Sequence, residues 1–182
     1  INMVVAIAEL SALYPPKAED IIVNYGSCAA KNCAVGSIFM CNKIVEELTA
    51  RTFYPDMLYQ HPFAEACLHT VEKEKLENLA DDCIYDMEAA AFYQGAAFYY
   101  GPHQMLFLKV VTDHGDIHAE NPKEFQKRFC NIMNQAGEEI AAYLDEKLQT
   151  NTQEEEWKLA MQETAFEDRV RQLAEDLHCS KT

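Results

Sequence analysis

Apolar residues recur at Met3, Val4, Ile7, Ala8 and Leu10 until Tyr14-Pro15-Pro16 breaks the series. Steps of three and four residues keep these side chains on one side of a helix, and the prolines cannot extend it, so a helix is predicted up to residue 14. The period then changes. Asp20 precedes the β-prone run Ile21 to Tyr25, which closes on Gly26-Ser27 and predicts a buried strand entering a turn. Gly36 to Val45 makes a second extended segment and Cys67 to Val71 a weaker one. Arg51, Tyr54-Pro55-Asp56 and His61-Pro62 mark the stretch between them as loop.

Glu72 to Ala80 is charged and favours a short helix, after which Cys83-Ile84-Tyr85 reads as a strand. Residues 88 to 100 combine alanines, aromatics and a single glycine, the composition of a buried helix with close neighbours, and Gly101-Pro102 ends it. The strand Gln104 to Thr112 follows. Asn121-Pro122 then opens a long helix whose Phe125, Phe129, Ile132, Met133, Ile140 and Tyr143 form a core-facing stripe. Strands that are apolar throughout, alternating with helices, predict an α/β sandwich with a largely parallel sheet.

Beyond the polar residues Gln149 to Gln153 the composition turns acidic, and Trp157, Met161, Phe166, Val170, Leu173 and Leu177 fall at helical spacing. The expected organisation is one domain over residues 1–150 and an acidic amphipathic helical extension over 151–182, packed on the core or on another subunit. A length of 182 residues with 49% hydrophobic content suits one sizeable core. Ile1 is not an initiator residue and no signal peptide is visible, so the chain is expected to be truncated at its N-terminus.

Charge narrows the range of partners. A formal charge of -15 and a pI near 4.7 argue against nucleic acid and against an anionic membrane, both of which recruit clustered Lys and Arg. No apolar run approaches the ~20 residues that span a bilayer. Seven cysteines in an unpatterned set predict reduced thiols and a cytoplasmic location, and neither finger-like spacing nor an HExxH pattern points to a metal or other cofactor. His114 and His118 flank Asp116, but Gly115 weakens any helix there and a solvated loop is expected.

Two carboxylates stand out. Glu88 falls between a strand and an Ala-rich helix, where the helix dipole favours an anion that could accept hydroxyl hydrogen bonds from a ribose; it could equally stabilise its own first turn. Asp113 ends an apolar strand, where it could project into a crevice and hold a proton for a leaving group, or simply cap the turn Asp113-His114-Gly115-Asp116. Gly26-Ser27 could present backbone N–H groups and a hydroxyl to a ligand. No GxSxG elbow, Walker or dinucleotide glycine pattern is present.

Taken in order, Val23-Asn24-Tyr25-Gly26-Ser27, Asp86-Met87-Glu88-Ala89-Ala90 and Val110-Val111-Thr112-Asp113 resemble three blocks of the purine nucleoside phosphorylase and methylthioadenosine/S-adenosylhomocysteine nucleosidase superfamily, over roughly residues 1–148. The resemblance implies a three-layer αβα sandwich with a mixed, largely parallel sheet, and an N-glycosidase whose partner is a small-molecule nucleoside. It also implies a homo-oligomer, a dimer or a larger ring. It assigns Met87 and Glu88 to the ribose, Asp113, with Thr112 beside it, to protonation of the departing purine, and Gly26 and Ser27 to substrate binding. Phosphorylases of this superfamily carry an Arg three residues before the Ser of the Gly-Ser block, where this chain has Asn24. A neutral amide cannot replace a guanidinium for a phosphate dianion, so hydrolysis is expected over phosphorolysis. The superfamily's water-activating residue would lie before Ile1, and the stretch from Cys67 to Cys83 lacks the aromatic purine-binding pattern.

Overall fold

The computed structural model describes residues 2–73, 79–115 and 121–147. Its elements are α1 (Asn2–Leu13), β1 (Ile22–Ala29), β2 (Ile38–Glu46), β3 (Arg51–Phe53), β4 (Ala64–Thr70), β5 (Cys83–Asp86), α2 (Ala89–Ala96), a single 3-10 turn (Pro102–Gln104), β6 (Met105–Asp113) and α3 (122–147). Residues up to Ile140 form the compact unit that holds every strand, and a second unit begins at Ala141. The expected extension over 151–182 lies outside the described residues.

The apolar runs become strands as their composition dictates. β6 is buried at all nine positions, Lys109 included. β1 pairs with it in parallel from Ile22↔Met105 to Cys28↔Val111. β4 lies parallel to both β2 and β5, while β2 is antiparallel to β3 and β6, and β1 to β5. β3 was expected as loop, and three residues with two polar side chains carry too little strand signal to read locally.

The sheet differs from the expected three-layer sandwich. Strand order runs β3-β2-β4-β5-β1-β6, and β6 also pairs with β2 at Ile38↔Val110 and Met40↔Leu108, so the sheet closes like a barrel. It is mixed, with as many antiparallel as parallel pairings. Register shifts at Cys28/Ala29 in β1 and at Cys41/Lys43 in β2 supply the local bending that closure requires. The second half of β2 pairs with β3 on the edge where its first half meets β6.

α2 buries Ala89, Ala90, Phe92, Gly95 and Ala96 against the sheet, and Phe92 meets Phe107 of β6 edge to face at 5.4 Å. It ends at Ala96, earlier than the composition of residues 88–100 suggested. α1 packs across α2 so closely that a Cβ at Gly95 would stand 3.2 Å from the Val4 Cα. The expected helix over 72–80 is not formed at residues 72, 73, 79 and 80, and its remaining residues lie outside those described. Gln104 secures the approach to β1, donating from Nε2 to the carbonyls of Lys17 at 2.8 Å and Asp20 at 2.9 Å.

In α3 the half-buried Phe125, Phe129, Ile132 and Met133 and the buried Ala136 and Ile140 realise the predicted stripe. The Tyr25 hydroxyl of β1 donates to the Met133 carbonyl, and Arg128 donates to the Thr112 carbonyl at 2.7 Å, so residues 128–133 of α3 are tied to the middle of β1 and the end of β6.

Candidate active site

Strand ends converge on one cavity of about 260 Å³. Ser27, Cys28 and Ala29 reach it from the carboxyl end of β1, Val71 from the residue after β4, and Thr112, Asp113 and Gly115 from the end of β6. The segment Tyr85 to Glu88, which joins β5 to α2, forms another side, and Phe125 and Phe129 of α3 face the rest. A crevice at the carboxyl ends of strands is where α/β proteins collect ligands, and its size suits a small molecule.

The junction between β5 and α2 is built from an ion pair. Asp86 and Lys109 meet at 2.8 Å with almost no exposure of either side chain. Gly26 of β1 makes room for this cation: a Cβ there would stand 3.1 Å from the Lys109 Nζ. Asp86 Oδ1 also accepts from the Thr70 hydroxyl at 2.8 Å. The remaining partners are the first N–H groups of α2, with Ala89 donating to Asp86 Oδ2 at 2.9 Å and Ala90 to Thr70 Oγ1 at 3.0 Å.

This cap decides what Glu88 does. A residue at the start of a helix commonly turns its side chain onto the free N–H groups of the first turn. Here Asp86 and Thr70 already bind them, and Glu88 makes no capping hydrogen bond. Its carboxylate borders the cavity beside Met87, and both residues are exposed.

Asp113 is buried and doubly held. Its Oδ2 accepts from the Thr112 hydroxyl at 2.9 Å and its Oδ1 from the Gly115 N–H at 2.9 Å. The second bond forms the tight turn that the sequence offered as an alternative reading, and Gly115 adopts the positive φ of 80° that such a turn favours in glycine. Capping the turn fixes the carboxyl at the cavity wall, so the two readings are not exclusive. His114 is turned away by a contact of 2.7 Å between its Nδ1 and the Ala30 carbonyl, and His118 lies outside the described residues.

Of the expected site residues, Ser27, Met87, Glu88, Thr112 and Asp113 border the one cavity. Gly26 does not border it; its place is beside Lys109. Asn24 is buried on β1, away from the cavity lining. Sequence reading missed the pair of Asp86 and Lys109, although one lysine inside the apolar run Leu106 to Val111 signals a buried cation that needs a partner. It also assigned Phe125 and Phe129 to the core, whereas they face the cavity with ring centroids 5.9 Å apart.

Residues 16–149 match the family model of the Phosphorylase superfamily, and the chain belongs to that superfamily. Solved structures with the same fold include an MTAN from Chlamydia trachomatis, 17% identical, covering 78% of this chain and 71% of its own, with a TM-score of 0.57. A second is the 5′-methylthioadenosine/S-adenosylhomocysteine nucleosidase of S. pneumoniae with a transition-state inhibitor, 18% identical over 78% of this chain and 73% of its own, TM-score 0.56. A third is the 5′-methylthioadenosine nucleosidase of Arabidopsis thaliana, 18% identical over 78% of this chain and 67% of its own, TM-score 0.56. No curated protein matches the sequence.

Proposed function

We propose that this chain is a nucleosidase that hydrolyses the N-glycosidic bond of a purine nucleoside, of adenosine type with a modified 5′ position. The observation that carries the reading is that Met87, Glu88 and Asp113 border one cavity while the first turn of α2 is capped by Asp86 and Thr70. That leaves the Glu88 carboxylate available to accept hydrogen bonds from sugar hydroxyls. Met87 packs under the ribose. Asp113 donates a proton to N7 of the departing purine, with its orientation set by Thr112 and Gly115. The bond breaks through an oxocarbenium-like state, in which neutralising the leaving base and holding the sugar lower the barrier most. Phe125 and Phe129 offer an apolar wall to a flat base or an apolar 5′ substituent.

Water is the favoured nucleophile. Among the described residues, no Lys or Arg borders the cavity, and the nearby Lys109 ammonium is paired with Asp86. A phosphate dianion would enter a cavity bordered by the acidic side chains Asp86, Glu88 and Asp113, with no cationic residue on its lining among those described. The test is purine release from an adenosine-type nucleoside in phosphate-free buffer. Hydrolysis predicts full turnover without phosphate, and base that appears only when phosphate is added would overturn it.

A further inference from the structure

Strand register assembles a second group of reactive side chains outside the cavity. Cys67 of β4 and Cys83 of β5 are directly paired in the parallel ladder. His69, two residues beyond Cys67, shares its side of the pleat. The opposite side of the same strands carries Thr70 and Asp86, which cap α2, so the two groups occupy different faces. The ligand-capable atoms of Cys67, His69 and Cys83 all lie within 4.8 Å of one another, and all three residues are half-buried.

The chemistry of the set points to one class of ligand. Two sulfurs and one imidazole are soft to borderline donors that select zinc-like ions over Mg²⁺ or Ca²⁺. Donors around one tetrahedral zinc stand about 3.3 to 3.8 Å apart, given bonds of about 2.0 to 2.3 Å, so side-chain adjustment alone closes the triangle. Glu47 approaches the His69 Nδ1 at 3.3 Å. An outer carboxylate of this kind fixes the tautomer of metal-ligating histidines and leaves the other ring nitrogen its lone pair. Both cysteines are free thiols, and burial with the neighbouring Cys67 pushes the Cys83 thiol up to about 11. Without a metal, the Cys83 thiol therefore keeps its proton near neutral pH.

We propose that Cys67, Cys83 and His69 form a binding site for a thiophilic divalent ion of the zinc class, oriented by Glu47 and completed by one water. Binding forms two metal–sulfur bonds and one metal–nitrogen bond, releases the two thiol protons to solvent and changes no oxidation state. Residues 67 and 83 are too far apart in the chain for a finger-like motif, which is why the site is visible only in the register of β4 and β5.

The test is a titration of the full chain, stripped of metal and kept reduced, with Co²⁺. One equivalent is expected to raise a near-ultraviolet thiolate-to-cobalt band that Zn²⁺ abolishes. Cys67→Ser and Cys83→Ser should each lose most of the band, whereas Cys130→Ser, at an exposed cysteine, should keep it. Glu47→Gln should weaken affinity by about 10- to 100-fold. Because a cysteine variant could fail to fold, His69→Ala is read beside it, with far-ultraviolet circular dichroism on each protein. A folded wild-type chain without the band, a band retained in folded Cys83→Ser, or formation of a Cys67–Cys83 disulfide with no metal uptake would each overturn the site.

Discussion

At the scale of single residues, the two cavity carboxylates are expected to fail in different ways. Asp113→Asn keeps the shape and the hydrogen bond from Gly115 but removes the acidic proton that the proposed reaction needs. It should lower turnover by about 10²- to 10⁴-fold with little change in nucleoside binding, measured by steady-state kinetics beside calorimetry. An Asp113→Asn enzyme with near-normal turnover would remove that residue from the chemistry. Glu88→Gln should harm ribosides more than 2′-deoxyribosides, because only the former present the 2′-hydroxyl that Glu88 is proposed to bind. Equal losses on the two substrates would refute that role. Lys109→Met tests the structure beneath them, since it leaves Asp86 buried and unpaired under the start of α2. Stranding one member of a buried pair costs about 3–5 kcal/mol, whereas removing both is often near neutral. Urea unfolding should therefore show Lys109→Met well below wild type, and the double variant Asp86→Asn/Lys109→Met recovering much of the loss.

At the scale of elements, Gly95 tests whether the contact between α1 and α2 or helix propensity governs that position. Alanine gains about 1 kcal/mol over glycine within a helix. Here its Cβ would stand 3.2 Å from both the Val4 Cα and the Ile7 Cδ1. The Ile7 side chain can rotate away, but a backbone carbon moves only with its helix. Gly95→Ala is thus expected to destabilise the protein despite the propensity gain, and Gly95→Val to destabilise it more, as lowered urea midpoints. A stabilised Gly95→Ala would show that the two helices slide freely. Element types were legible wherever the apolar period was strong. The stripe from Ile132 to Ile140 and the wholly buried β6 follow from the spacing and composition of their apolar residues. Features carried by pairing were not legible, because the register between distant strands leaves no local trace. The antiparallel contact of Ile38 with Val110 closes the sheet, and Lys109 finds Asp86 on another strand. Glu88 and Asp113 could be named from their blocks, yet the cap that leaves Glu88 available is shared by Asp86 with Thr70, from a strand read only weakly.

At the scale of the whole molecule, a closed sheet has an interior that must stay dry, and its buried thiols tie stability to pH. Cys28 is 3% exposed and Cys41 fully buried, and for both burial is the largest cause of a thiol pushed well above its ordinary range. Lys109 pulls the other way, but as the smaller effect in each case. The unfolded chain releases these protons above about pH 8.5, while the folded chain retains them. Above that point the folded state binds more protons, so the stability present below about pH 8.5 falls as pH rises. The slope is about 1.4 kcal/mol per pH unit for each thiol, until the folded state itself ionises or unfolds. Tyrosines and lysines also titrate at alkaline pH, so the thiols are isolated by comparison rather than by the wild-type curve alone. Cys41→Ala should start less stable near neutral pH, because it leaves a small cavity, but lose stability with a shallower slope between about pH 8.5 and pH 10. Urea unfolding of the two proteins across that range decides it. Parallel curves would mean that Cys41 ionises as readily inside the sheet as in the unfolded chain, and that water reaches the interior.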